Sequence, residues 1–168
     1  MGKFRKIVVT GPESSGKTTL AVALAEKFHT KAVPEFARTY LQYLGRPYLP
    51  EDLTVIFRGQ MAWEDFYSDQ NEHLIICDTD WTVIQVWENN LVPNKPFQYP
   101  RRSWDLALLC APDMPWQEDV LREHPEERDR LFADYQQLLR TTGLPFLELY
   151  GSHDKRMTTA IAAIQSLW

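Results

Sequence analysis

Five short apolar runs, over 6–11, 31–35, 73–80, 105–111 and 145–151, alternate with longer stretches whose apolar residues recur every three to four positions. Strand-sized runs separated by helix-sized ones imply a parallel sheet, because parallel neighbours are joined only through a crossover long enough to hold a helix. Strands covered on both faces read as continuous hydrophobic runs, as "KIVV", "LIIC" and "LALLC" do. The spacing predicts helices over 17–28, 36–44, 53–72, 81–90, 126–140 and 154–167. The expected fold class is α/β, a five-stranded parallel sheet between two helical layers, forming a single domain over residues 1–168. No Gly/Ser linker, repeat or low-complexity segment divides the chain.

Several function classes fall away on charge and composition. The net charge of −5 comes from mixed-sign residues spread along the chain, so no basic field invites nucleic acid. Cys77 and Cys110 lie inside apolar runs, as small buried hydrophobes do, and fit a reducing, cytoplasmic setting. No apolar run is long enough for a membrane span, and the N-terminal run is too short for a signal peptide. His29, His73, His124 and His153 show no metal-ligand spacing.

Between the first strand and the first helix stands Gly11-Pro12-Glu13-Ser14-Ser15-Gly16-Lys17-Thr18, which fits G-x-x-x-x-G-K-[ST]. Two glycines let backbone N–H groups curl around the phosphates of ATP, with Glu13, Ser14, Ser15 and Thr19 completing the cradle. Lys17 reaches the β/γ oxygens, and the Thr18 hydroxyl is placed for Mg²⁺. A carboxylate must complete the metal side, and the run "LIICDTD" ends in Asp78 and Asp80. Asp78 is the expected Mg²⁺ acid; Asp80 reads equally as a site acid or as the N-cap of the following helix.

The second run ends in "VPEFAR", which sets Glu35 and Arg38 at the carboxyl end of a strand, where open parallel sheets hold ligands. Either they serve an acceptor hydroxyl or ribose, or Glu35 is a first-turn acid with Arg38 as its surface partner. The irregular stretches 90–103 and 111–130 are long for plain connections, so at least one is expected to act as a lid or binding loop. In the second, Arg122, Arg128 and Arg130 stand among acids. Read alone they form a solvated mixed-charge helix; downstream of a phosphate cradle they suit a closing lid. Trp63, on the long helix, either packs in the core or stacks a flat, cationic ring.

Taken together, "GPESSGKTTL", "PEFAR", "DTDWTVIQ" and "MPWQEDVLR" resemble, in order and spacing, the ribosylnicotinamide kinase domain of NadR-type NAD-biosynthesis proteins over nearly the whole chain. The resemblance implies a P-loop NTPase fold of the nucleoside/nucleotide kinase type, AAA-like, with a lid and sheet order 2-3-1-4-5. It implies Mg²⁺-dependent transfer of the ATP γ-phosphoryl to the 5′-hydroxyl of nicotinamide riboside, giving NMN. Under it, Gly11 to Thr18 hold the phosphates, and Glu35, Arg38, Asp78 and Asp80 fall on polar site positions. Trp116, Asp119 and Arg122 match the lid segment, and Trp63 falls where relatives keep an aromatic near the nicotinamide. Where relatives often place an aromatic directly before the glutamate, this chain has Pro34. Larger family members carry an adenylyltransferase module ahead of the kinase, whereas this chain starts one strand before its P-loop, so a stand-alone kinase is expected.

In the expected reaction Glu35 or Asp80 is the base, Trp63 and Trp116 contact the acceptor, and Arg122 with Arg128 closes over the transferring group. One rival is a kinase of the same fold acting on another nucleoside or a nucleoside monophosphate. A monophosphate would need cations that the segment 45–72 supplies only as Arg46 and Arg58. The other rival is a non-catalytic ATP-binding sensor, which keeps the cradle without needing a base. The choice between ATP and GTP and the formation of a homo-oligomer stay open in the sequence.

Overall fold

Alternation along the strands decides the layering. A computed structural model describes residues 4–71, 73–115 and 125–168. In β1 (Arg5–Thr10), Ile7 and Val9 face α1 (Lys17–Lys27) and α6 (His153–Gln165), whereas Val8 faces the opposite layer. That second layer is formed by α2 (Phe36–Leu44), α3 (Asp52–Asp69), α4 (Trp81–Leu91) and α5 (Arg128–Thr142). With β2 (Ala32–Val33), β3 (Leu74–Asp78), β4 (Leu106–Cys110) and β5 (Phe146–Leu149), β1 forms a five-stranded parallel sheet of order β2-β3-β1-β4-β5. This is the expected three-layer P-loop architecture. β3 and β4 are buried at every residue, as strands covered on both faces must be.

Departures from the expected boundaries have local causes. β2 ends at Val33, because Pro34 has no N–H to continue a ladder. β3 stops at Asp78, because Thr79 turns the chain with φ +69 and hands Asp80 to α4 as its N-cap. α5 begins at Arg128, preceded by a 3₁₀ turn at Pro125–Glu127. The stretch 90–103 packs on the helices beside it. Trp81 Nε1 donates to the Arg102 carbonyl at 2.8 Å, Tyr99 stacks on Phe57 with centroids 4.6 Å apart, and Arg102 pairs with Asp65 at 2.6 Å. These contacts staple it across α3 and α4. Among the described residues no helix is long and apolar enough to cross a membrane.

Candidate active site

The cradle begins where β1 ends. Gly11 has φ +137, and a Cβ there would lie 2.6 Å from the Cys110 carbonyl oxygen, so a side chain cannot be accommodated. Ser15 Oγ and Lys17 Nζ each donate to the Pro12 carbonyl at 2.7 Å, closing the loop on itself. Gly16 starts α1 with a left-handed φ of 77° and no side-chain capping bond, so the first-turn N–H groups of α1 are not consumed by a cap.

One buried arginine holds this loop from behind. Arg156 of α6 is 2% exposed. It donates through Nε to Gly151 O at 3.0 Å, through one terminal nitrogen to Ser15 O, and through the other to Ala111 O at 2.8 Å and to the Asp113 carboxylate. The phosphate loop, the end of β4 and the loop after β5 are thus tied to a single planar group. Sequence reasoning missed Arg156, since its partners lie as far as 141 residues away.

Two carboxylates face the loop. The register Val9↔Asp78 sets Asp78 beside the strand that feeds the cradle. The Thr18 hydroxyl bonds to Asp78, burial raises its carboxyl above the usual range, and its Oδ1 is buried without a hydrogen-bond partner among the described residues. Glu35 occupies the N-cap position of α2 yet makes no capping bond. Burial and the neighbouring Asp78 push it up to about 7, against the pull of Lys17 and Arg38. The buried amide of Gln60 fixes the backbone on both sides of Glu35, donating to Pro34 O at 3.4 Å and accepting from Phe36 N at 2.9 Å. Gln60 carried no sequence signal beyond its place on α3.

The loop opens on two cavities. One, of about 270 Å³, is lined by Glu13 to Thr19 with Arg38, Met114, His153 and Arg156. The other, of about 250 Å³, lies between α4 and α5, with Tyr48, Val83, Val86, Trp87, Leu131 and Tyr135 among its walls. Glu13, Lys17, Glu35 and Trp87 line both. A donor phosphate on the loop and an acceptor in the second cavity would therefore meet at one ammonium and one carboxylate.

The remaining expected site residues divide. Asp80 lies among the buried polar residues and lines neither cavity; one carboxylate oxygen accepts from Thr82 N at 3.0 Å and from Thr82 Oγ1 at 2.6 Å, so it caps α4. Trp63 packs edge-on against Phe36 at 5.0 Å, against the core, and lines neither cavity. The aromatic wall comes instead from Trp87 and Tyr48, whose rings are 5.5 Å apart and tilted by 33°. Arg128 donates to Met114 O at 2.8 Å, bracing the segment that leaves β4. Trp116, Asp119 and Arg122 lie outside the described residues.

A family model described as an AAA domain matches residues 6–156. The chain belongs to this AAA domain family. Within it, the chain is similar to the trifunctional NAD biosynthesis/regulator protein NadR of Escherichia coli K12, at 29% identity over 143 residues. That match takes in 80% of this chain and 34% of the relative, so the chain spans about a third of the curated relative's length. Two crystal structures of NadR share the fold. One, in complex with NR, superposes with a TM-score of 0.81 at 21% identity, over 97% of this chain and 50% of the other. The second, in complex with NAD and AMP-PNP, gives 0.77 at 20% identity, over 97% and 49%.

Proposed function

We propose that this chain transfers the terminal phosphoryl group of ATP to the 5′-hydroxyl of nicotinamide riboside, giving NMN. The observation that carries the proposal is the shared wall: Glu35 and Lys17 line both the phosphate-loop cavity and the aromatic cavity beside it. Similarity to NadR, one structure of which holds NR and another AMP-PNP, supports the two substrates.

The residues present fit Mg²⁺. Asp78 and Thr18 are hard oxygen donors side by side, and Asp78 Oδ1 has no other partner among the described residues. They would hold the ion, which when bound neutralises charge on the ATP phosphates. Lys17 and the loop backbone bind and orient those phosphates. Glu35, its backbone fixed by Gln60, orients the acceptor hydroxyl and takes its proton. Asp80 lines neither cavity whereas Glu35 lines both, so the base role is given to Glu35. Trp87 and Tyr48 offer ring faces to a flat cationic ring.

A monophosphate acceptor is disfavoured by the commitment of nearby cations. Arg130 is bonded to Asn90 at 2.6 Å and Glu127 at 2.8 Å, and Arg46 to Asp52 at 2.7 Å. The test is ADP release by the purified protein with ATP, Mg²⁺ and candidate nucleosides. Stimulation by nicotinamide riboside is expected; clear turnover with another nucleoside and none with this one would refute the substrate.

A further inference from the structure

Tyr135 is a polar group in the second cavity that the proposed reaction leaves without a task. It lies on α5 four residues beyond Leu131, so the two share one face of this helix, and both line the cavity. The residue is 2% exposed, and its hydroxyl makes no hydrogen bond among the described residues. Its oxygen is not one of the sealed, unpartnered atoms among the described residues, so it borders the cavity, where a bound molecule can meet it. Its surroundings are acidic: Glu35 is the strongest electrostatic neighbour, followed by Asp80, Glu13 and Asp134. Burial and these carboxylates keep the phenol protonated, hence a donor.

Two cationic groups of the cavity already have partners. Lys17 bonds the Pro12 carbonyl, and Arg130 joins Asn90 to Glu127. Glu35, on the wall of the same cavity, is where the acceptor's 5′-hydroxyl would sit. With the ring end of the acceptor against Trp87, the sugar spans the interval that Tyr135 borders. We propose that the Tyr135 hydroxyl hydrogen-bonds a secondary hydroxyl of the acceptor's ribose and is a specificity-determining residue of the acceptor site. This rests on the reading of the chain as a riboside kinase.

The consequence is a difference between sugars. A site built to bond a hydroxyl discriminates strongly against an acceptor lacking it, whereas a merely apolar wall does not. The test measures kcat/KM of wild type and Tyr135→Phe with a riboside and with its 2′-deoxy and 3′-deoxy analogues, beside KM for ATP and thermal melts. Wild type should prefer the riboside over one of the analogues by about 10-fold or more. Tyr135→Phe should lose roughly that factor with the riboside, lose the preference against the same analogue, and keep both KM for ATP and Tm. The inference is overturned if wild type shows no such preference, if the variant keeps it, or if the variant slows all acceptors equally. A wild type that phosphorylates no nucleoside refutes the kinase reading itself and the inference with it; the other outcomes leave that reading standing.

Discussion

Replacing Arg156 tests whether the phosphate loop owes its shape to one side chain. Arg156→Met keeps much of the apolar stem but removes the guanidinium donors to Ser15, Ala111, Gly151 and Asp113, leaving Asp113 its bond from Gly151 N. Asp113 is 35% exposed and can rehydrate, so its lost ion pair counts for little. The carbonyls of Ser15 and Ala111 belong to buried residues and would be left without this donor. Each such group costs about 1–3 kcal/mol, which sums to roughly 2–6 kcal/mol. At about 2–4 °C per kcal/mol for a domain of this size, Tm should fall by on the order of 10 °C. Because Ser15 lies within the cradle, KM for ATP should rise while KM for the acceptor changes little. Arg156→Lys retains charge but not the planar fork, and should show an intermediate loss. The assays are thermal melts with and without saturating ATP analogue, and initial rates over a matrix of both substrates. A Tm within about 2 °C of wild type together with an unchanged KM for ATP would refute the reasoning, since the estimate predicts several times that shift.

Other outcomes follow from the acids and the packing around them. Glu35→Gln should lower kcat by about 10²- to 10⁴-fold with little change in KM for ATP, as rate measurements at saturating ATP will show. Glu35 ionises at about 7 and must be deprotonated to act, so kcat/KM for the acceptor should climb with pH and level off above that value, and Glu35→Gln should erase this limb. The same raised pKa makes the folded state lose stability as pH rises from the unfolded carboxyl's range through about 7, so melts of Glu35→Gln should overtake wild type toward pH 8. Trp87→Ala should raise KM for the acceptor, whereas Trp63→Phe should leave it unchanged and alter only Tm. A Cβ on Gly59 would sit 2.3 Å from the Phe36 ring, so Gly59→Ala should cost about 1–3 kcal/mol in denaturant melts and displace the start of α2.

Layering was legible because strand and helix periods differ, whereas the order of the strands came only with the family resemblance that the P-loop and the later segments carry. Asp78 was legible too, as the acid ending the strand next to that loop. Asp80 was ambiguous by nature: the same residue type caps helices and serves sites, and only the bonds to Thr82 separate the two. Trp63 and Trp87 both carry helical spacing, and which one meets the cavity depends on helix rotation against neighbours, a long-range property. Gln60 and Arg156 act on backbone atoms brought near by the fold, and contacts with carbonyls and amides leave no residue pattern to recognise.

The two halves of the cleft are made of different material. The donor side is largely main chain, held by Arg156 across three segments, and substitutions in most of its side chains leave its amides where they are. The proposed acceptor side is largely side chains, Val86, Trp87, Leu131 and Tyr135 hung on helices whose own hydrogen bonds do not depend on them, with Tyr48 from the loop between α2 and α3. An evolving lineage can therefore exchange the molecule that receives the phosphoryl group by a few point changes on α4 and α5, while inheriting the machinery that delivers it intact.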